Sequence, residues 1–180
     1  MKNIKWIILI AVAVSLLVSP CMGAEYLTDK KETLRGIRGM CVSIENLSDN
    51  VKELGLTRDI LRMDVELKLR LAGIKVLSIK EERLKSLDLP YLYLNINTVI
   101  QSSGVSFSYH VELALKQTVL LLTTKNTSTF AETWTKSITG YAGDNVLIDA
   151  LRSNTKDLVD MFLNDYLAVN PKQVDKPKKK

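Results

Sequence analysis

The stretch Leu56–Leu77, LTRDILRMDVELKLRLAGIKVL, decides how the rest of the chain is arranged. Within it Met63, Val65, Leu67, Leu69 and Leu71 alternate strictly with Asp64, Glu66, Lys68 and Arg70. By period alone that is a half-buried strand. Three features make it a helix instead. Its residues are mainly strong helix formers, with Val65 the one β-branched member of the alternating run. Thr57 suits the N-cap, and Asp59 then sits in the first turn, facing the positive end of the helix dipole. Gly73 followed by Ile74 suits a left-handed residue after the helix with an apolar residue behind it. Wound as a helix, Ile60, Met63, Leu67 and Leu71 form one apolar seam, and Leu61, Val65, Leu69 and Ala72 a second. Arg62, Glu66 and Arg70 stack on the edge between them, and Asp64 faces Lys68 on the other edge. Two seams ask for two neighbours, a sheet and another helix. After Gly73 the chain drops into a buried strand, Ile74–Ile79.

Working outward, Leu34–Ile44 reads as a first strand, and Asn46, Ser48, Asp49 and Asn50 punctuate the loop before the helix. Two strands joined through a helix form a right-handed parallel crossover. Glu81–Asp88 is charged and reads as a short helical turn before Pro90. From Pro90 the pattern becomes antiparallel. Tyr91–Ile100 puts Leu92, Leu94, Ile96 and Ile100 on one side and Tyr91, Tyr93, Asn95 and Asn97 on the other. Val105–Leu115 alternates likewise, with Gln101–Gly104 as the turn. Keeping both apolar sets on one face predicts Ile100 opposite Val105, Ile96 opposite Tyr109 and Leu94 opposite Val111. Asn95 then faces His110, and Tyr93 faces Glu112. The strand runs on to Leu122, with a bulge expected in Val119–Leu122.

A third antiparallel strand, Thr129–Thr139, has Phe130, Trp134 and Ile138 on one parity and Ala131, Thr133, Thr135 and Ser137 on the other; either set suits the core. Gly143-Asp144 opens a closing helix, Asn145–Leu167, striped by Leu147, Leu151, Leu158 and Phe162, with Ile148, Thr155 and Met161 alongside. Asn170-Pro171 ends it. The order β-α-β-β-β-β-α predicts an α+β two-layer sandwich, a mixed and mainly antiparallel sheet of about five strands with two helices on one face.

The ends have a different grammar. Residues 1–24 read as a secretory signal, with Lys2 and Lys5 before the apolar run Ile7–Val18 and a cut near Cys21–Ala24. The run is short for a transmembrane span, which needs roughly 20 residues. Cys21 is the acceptor in a lipid-anchored alternative, although Pro20 replaces the small residue such sites carry; an uncleaved anchor is the other alternative. Residues 25–33 read as a flexible leader, 34–167 as one domain and 168–180 as a disordered lysine-rich tail. The whole chain is +5. Lys2 and Lys5 lie in the signal and five lysines against Asp175 lie in the tail, so the body between is slightly acidic. A nucleic-acid domain carries its basic patch on the fold itself, and no nucleic-acid partner is expected. The mature length of roughly 155 residues suffices for one domain with a real core. With the signal removed Cys41 is the one cysteine, which excludes an internal disulfide; within Met40–Ile44 it reads as a small buried hydrophobe.

Little catalytic chemistry is written here. His110, the one histidine, has Glu112 two residues along on the same predicted face, with Asn95 and Tyr93 across the hairpin. A base also needs a nucleophile and an oxyanion partner held in a pocket, whereas these side chains stand on an open sheet. One histidine, one buried thiol and no carboxylate cluster at ligand spacing do not make a zinc site, and the glycines show no nucleotide-binding fingerprint. Neither a cofactor nor a metal is expected. Asn46-Leu-Ser48 and Asn126-Thr-Ser128 match the glycosylation triplet, which is common by chance. The polar face Tyr91, Tyr93, Asn95, Asn97, His110 and Glu112 is the candidate partner surface. A hydrolase using His110 is the alternative reading, and a membrane-tethered domain a further one.

The signal, the run Leu61–Leu77 ending RLAGIKVL, the strand PYLYLNIN and the final helix ending FLNDYLAVNP resemble those of small exported bacterial proteins. The layout also resembles the envelope modules of the lipopolysaccharide-assembly lipoprotein LptE and the amino-terminal domain of TolB. That resemblance implies an exported, periplasmic or outer-envelope protein that binds an envelope protein or glycolipid. Membrane contact would come through the signal, an anchor or the basic tail. No functional residue is carried over, and the lack of a clear lipobox is a departure from LptE.

Overall fold

A computed structural model describes residues 29–77, 89–101, 105–124 and 127–171. The signal, Ser78-Ile79 of the second strand, the Glu81–Asp88 turn, residues 102–104 and 125–126, and the tail from Lys172 lie outside the described residues. The protein is an α+β fold. Five strands, β1 (Gly39–Ile44), β2 (Lys75–Val76), β3 (Tyr91–Ile100), β4 (Ser106–Leu120) and β5 (Ser128–Gly143), form one sheet in the order β2-β1-β3-β4-β5. The helices are α1 (Asp49–Glu53), α2 (Arg58–Leu71) and α3 (Asp144–Val169). β1 pairs parallel with β2 and β3, and β3, β4 and β5 run antiparallel. α2 lies against β1 and β2, α3 against β4 and β5, and the helices touch each other on the same side of the sheet.

The alternating run of the opening stretch is helical throughout. The Thr57 hydroxyl accepts from the Ile60 amide at 3.3 Å, filling one of the orphan donors of the first turn. At the other end Gly73 has φ +84°, the Ile74 amide donates to the Leu69 carbonyl at 2.9 Å, and the Gly73 amide donates to the Arg70 carbonyl at 2.9 Å. That is a complete Schellman cap, with Ile74 and Leu69 both buried beneath it. The two seams part company. Leu61, Val65 and Leu69 are fully buried, while Met63, Leu67 and Leu71 are more than half exposed. Asp64 does not pair with Lys68 as the helix spacing suggested. Each reaches across to α3: Asp64 holds Arg152 through two bonds of 2.8 and 3.0 Å, and Lys68 holds Asp160. On the expected edge, Arg70 pairs with Glu66 at 2.7 Å, whereas Arg62 turns to Asp59.

β1 begins at Gly39, later than the expected Leu34, because Lys30–Leu34 closes a 3-10 turn capped by Asp29. That turn ends on Leu34, which is fully buried, where the sequence suggested a leader running into a strand. The loop after β1 contains α1, a single turn whose Val51 is buried; the polar punctuation hid it. α3 follows the expected stripe: Leu147, Leu151, Leu158 and Phe162 are all sealed, and the buried Thr155 hydroxyl returns to the Leu151 carbonyl at 2.8 Å.

The β3–β4 register is two residues away from the expected one: Ile100 faces Phe107, Ile96 faces Val111 and Leu94 faces Leu113. A two-residue slip keeps every side chain on its face, so alternation cannot detect it. The connection decides it. The Gln101 amide donates to the Ser106 carbonyl, and the Val105 carbonyl accepts from Asp144 at the start of α3. Val105 is thereby taken out of the core face and left exposed. β4 ends at Leu120 rather than Leu122, and the bulge falls earlier than expected. Leu115 pairs with Trp134 and Lys116 with Glu132, leaving Thr133 as the extra residue. The bulge also settles the open parity of β5. Trp134 is buried edge-on to Phe162 with ring centroids 5.1 Å apart, and its indole N–H donates to Asp165. On the same face Gly140 lies under the Tyr109 ring, where a Cβ would sit 2.3 Å from the phenol oxygen.

Candidate partner face

The reverse side of the sheet gathers the polar residues of β3 and β4. Among the described residues no helix packs on it. Tyr91, Tyr93, Asn95, Asn97, His110 and Glu112 all lie there, as expected. Their neighbours differ from the expectation because of the register: Asn97 faces His110, Asn95 faces Glu112, and Tyr93 faces Ala114. The predicted pairs Asn95–His110 and Tyr93–Glu112 are therefore not formed.

Most of these side chains are held in place. Glu45, one residue past β1, continues that strand's pairing, its amide donating to the Leu94 carbonyl at 2.9 Å. This places its carboxylate to accept a hydrogen bond from the Tyr93 hydroxyl. Above all through that bond, and further through burial and the nearby Glu45 and Glu112 charges, the Tyr93 phenol is pushed up to about 12. The Glu45 carboxyl is lowered in turn, first by Tyr93 and then by the Asn46 amide. The Lys116 ammonium rests 3.8 Å from the Tyr93 ring centroid, a cation–π contact. Thr135 donates to Glu112 at 3.3 Å, and His110 Nδ1 lies 3.0 Å from the Thr139 hydroxyl. Tyr91 leans on Phe130 of β5 at 5.9 Å. Asn97 alone of the six is exposed; the other five are half-buried.

Sequence reasoning missed Glu45, Thr135, Thr139 and Phe130 as parts of this surface. Lys116 was visible as the next polar position of β4. Glu45 carried no signal beyond following Ile44, and the β5 residues needed the bulge to fix their parity. His110 has a hydroxyl beside it and an amide opposite, with no carboxylate bonded to the ring. Among the described residues no group of three or more His, Cys, Asp or Glu is placed to hold a metal ion. Cys41 is buried, as expected. No described helix is long and apolar enough to cross a membrane.

The class defined by this geometry is a two-layer α+β domain with one oily, helix-covered sheet face and one polar, open face. No protein-family model and no curated protein matches the chain. Among solved structures it is similar to a minor lipoprotein from Acinetobacter baumannii, with TM-score 0.38 and 9% identity over 74% of this chain and 95% of that one. It is also similar to rare lipoprotein B from Shewanella oneidensis, with TM-score 0.33 and 16% identity over 72% of this chain and 96% of that one. Both of those proteins are lipoproteins.

Proposed function

We propose that the chain is an exported envelope module that binds or assembles with another envelope component, a protein or a glycolipid, through the open sheet face. The observation that carries this reading is the fixed polar array on that face. Tyr93 is locked to Glu45 and covered by Lys116, while Glu112 and His110 are held by threonines of β5. Side chains ordered before an encounter lose little entropy on binding, so such an array favours a defined partner. The signal pattern of residues 1–24 supports export. A hydrolytic role for His110 would need an activating carboxylate and an enclosed pocket, and its threonine neighbour on an open sheet supports contact instead.

The test is capture from envelope extract with the wild-type protein, Tyr93→Ala, His110→Ala and Asn97→Arg. Tyr93→Ala and Asn97→Arg should each lose the same captured component. A component retained by all three variants would refute the open face as the binding surface. Loss with His110→Ala alone, together with hydrolysis of that component, would restore the enzyme reading.

A further inference from the structure

Single exposed apolar side chains are ordinary on a protein surface. The outer seam of α2 is a connected set. Met63, Leu67 and Leu71 are 62%, 57% and 77% exposed, and their four-residue spacing makes them one ridge along a 14-residue helix. The Thr57 cap and the Gly73 turn fix that helix at both ends. The ridge looks away from the sheet. It therefore lies on the opposite side of the domain from the open polar face and shares no residue with it.

The charges beside the ridge narrow what can cover it. Its bases are answered by acids: Arg62 by Asp59, Arg70 by Glu66 and Lys68 by Asp160. A helix face that enters a headgroup layer carries an excess of lysine and arginine, and here there is none. Nor does the balance leave a field of one sign to draw a strongly charged partner. What the charges fit is their own pattern. On one flank Glu66 precedes Arg70 by a turn. On the other flank Lys156 of α3 precedes Asp160 by a turn, with Lys156 beside Asp64 and Asp160 beside Lys68. The two helices run the same way, since Asp64 meets Arg152 and Lys68 meets Asp160. Each flank thus holds one charge of each sign, one turn apart.

We infer that the outer seam of α2 is a contact between two copies of this chain, packed head to tail about a two-fold axis near Leu67. A two-fold contact has to be complementary to itself, and this surface is. Leu67 meets its own counterpart, and Met63 of one copy meets Leu71 of the other. Reversal of direction lays Glu66 of one copy beside Arg70 of the other, and Lys156 beside Asp160. A helix of this length spans only about 21 Å, so the pair falls short of the about 800 Å² per partner of a stable complex. The association is therefore weak, with a Kd on the order of 100 µM. In dilute solution the chain is single and the ridge bare. The contact does not depend on what binds the open face.

The test is sedimentation equilibrium of the purified protein from about 1 µM to about 1 mM. The average mass should rise from one chain towards two. Leu67→Glu sets a charge against its own copy on the axis and should weaken pairing roughly tenfold or more. Glu66→Lys should weaken it about threefold to tenfold, because the axis applies each change twice. Glu66→Lys together with Arg70→Glu should recover it, since the exchanged charges again oppose across a head-to-tail contact. Asn97→Arg, on the open face, should leave it unchanged. At about 1 µM, where the chain is single, each variant should melt by circular dichroism as the wild type does, which checks folding. A mass that stays at one chain throughout would overturn the inference. Pairing indifferent to Leu67→Glu, or lost in Asn97→Arg, would place the contact elsewhere and overturn it too. Failure of the double change to recover pairing would exclude head-to-tail packing and do the same.

Discussion

α2 and α3 are both amphipathic, lie side by side on one sheet, and yet bury their oil to different extents. In α3 the stripe Leu147, Leu151, Leu158 and Phe162 is wholly sealed, over β4 and β5 and against α2. In α2 the seam Leu61, Val65 and Leu69 is equally sealed, but Met63, Leu67 and Leu71 face outward. A helix resting on a sheet with one helical neighbour is covered over only part of its circumference. α3 places mainly polar residues on its uncovered side, with Val146, Met161 and Leu167 scattered among them; α2 places a continuous second apolar seam there. Periodicity shows which residues share a face, but the number of neighbours decides how many faces are covered.

The contrast can be broken most sharply at its sealed side. Phe162→Ala removes a ring packed against Trp134 and Tyr166 and should cost about 3–5 kcal/mol in urea unfolding; a loss below about 1 kcal/mol would mean α3 is less enclosed than described.

At the seam between the helices, Asp64→Asn should cost about 1–2 kcal/mol, a charge-assisted pair discounted for the exposure of Arg152. The Asp64 carboxyl is lowered by its hydrogen bond to Arg152. A carboxylate with a depressed folded pKa stabilises the protein above its unfolded value near 3.9 and stops doing so as pH falls through the folded value. The difference between wild type and variant should therefore hold from neutral pH to about pH 5 and close below about pH 4. A gap that persisted at pH 2 would remove the ion pair as its cause.

Smaller again, Thr57→Ala should cost a little under 1 kcal/mol. α3 has no side-chain cap at Gly143 to lose, so the two helices differ here also. Least of all, Leu67→Ser should change stability by no more than about 0.5 kcal/mol. A cost of several kcal/mol in dilute solution would show that the outer seam of α2 is covered, and a cost that grows with protein concentration would show that another copy covers it.

Much of the fold was legible. The helical reading of Met63–Leu71 rested on composition and on Thr57 and Gly73, and both caps are formed as the residues implied. The faces of β3 and β4 followed from alternation, and all six candidate surface residues share the open side. What alternation could not give was the register, because a slip of two residues preserves every face while changing every partner. His110 consequently meets Asn97 and Thr139 instead of Asn95. The Asp64–Lys68 pair failed for a related reason. Spacing along one helix proposed a local partner, and a neighbouring helix offered Arg152 and Asp160 in better positions.

By itself the sequence determined the type of the main elements, the faces of β3 and β4 and the side of the sheet that stays polar. Those properties are set by local propensity, caps and short-range period. Tertiary structure alone decided the hairpin register, the bulge at Thr133 that turns Trp134 inward, the Tyr93–Glu45 lock and the fastening of Asn170 to Leu34 and Gly36. Each depends on contacts between residues distant in the chain. Their energies differ among arrangements that the local pattern leaves equally acceptable.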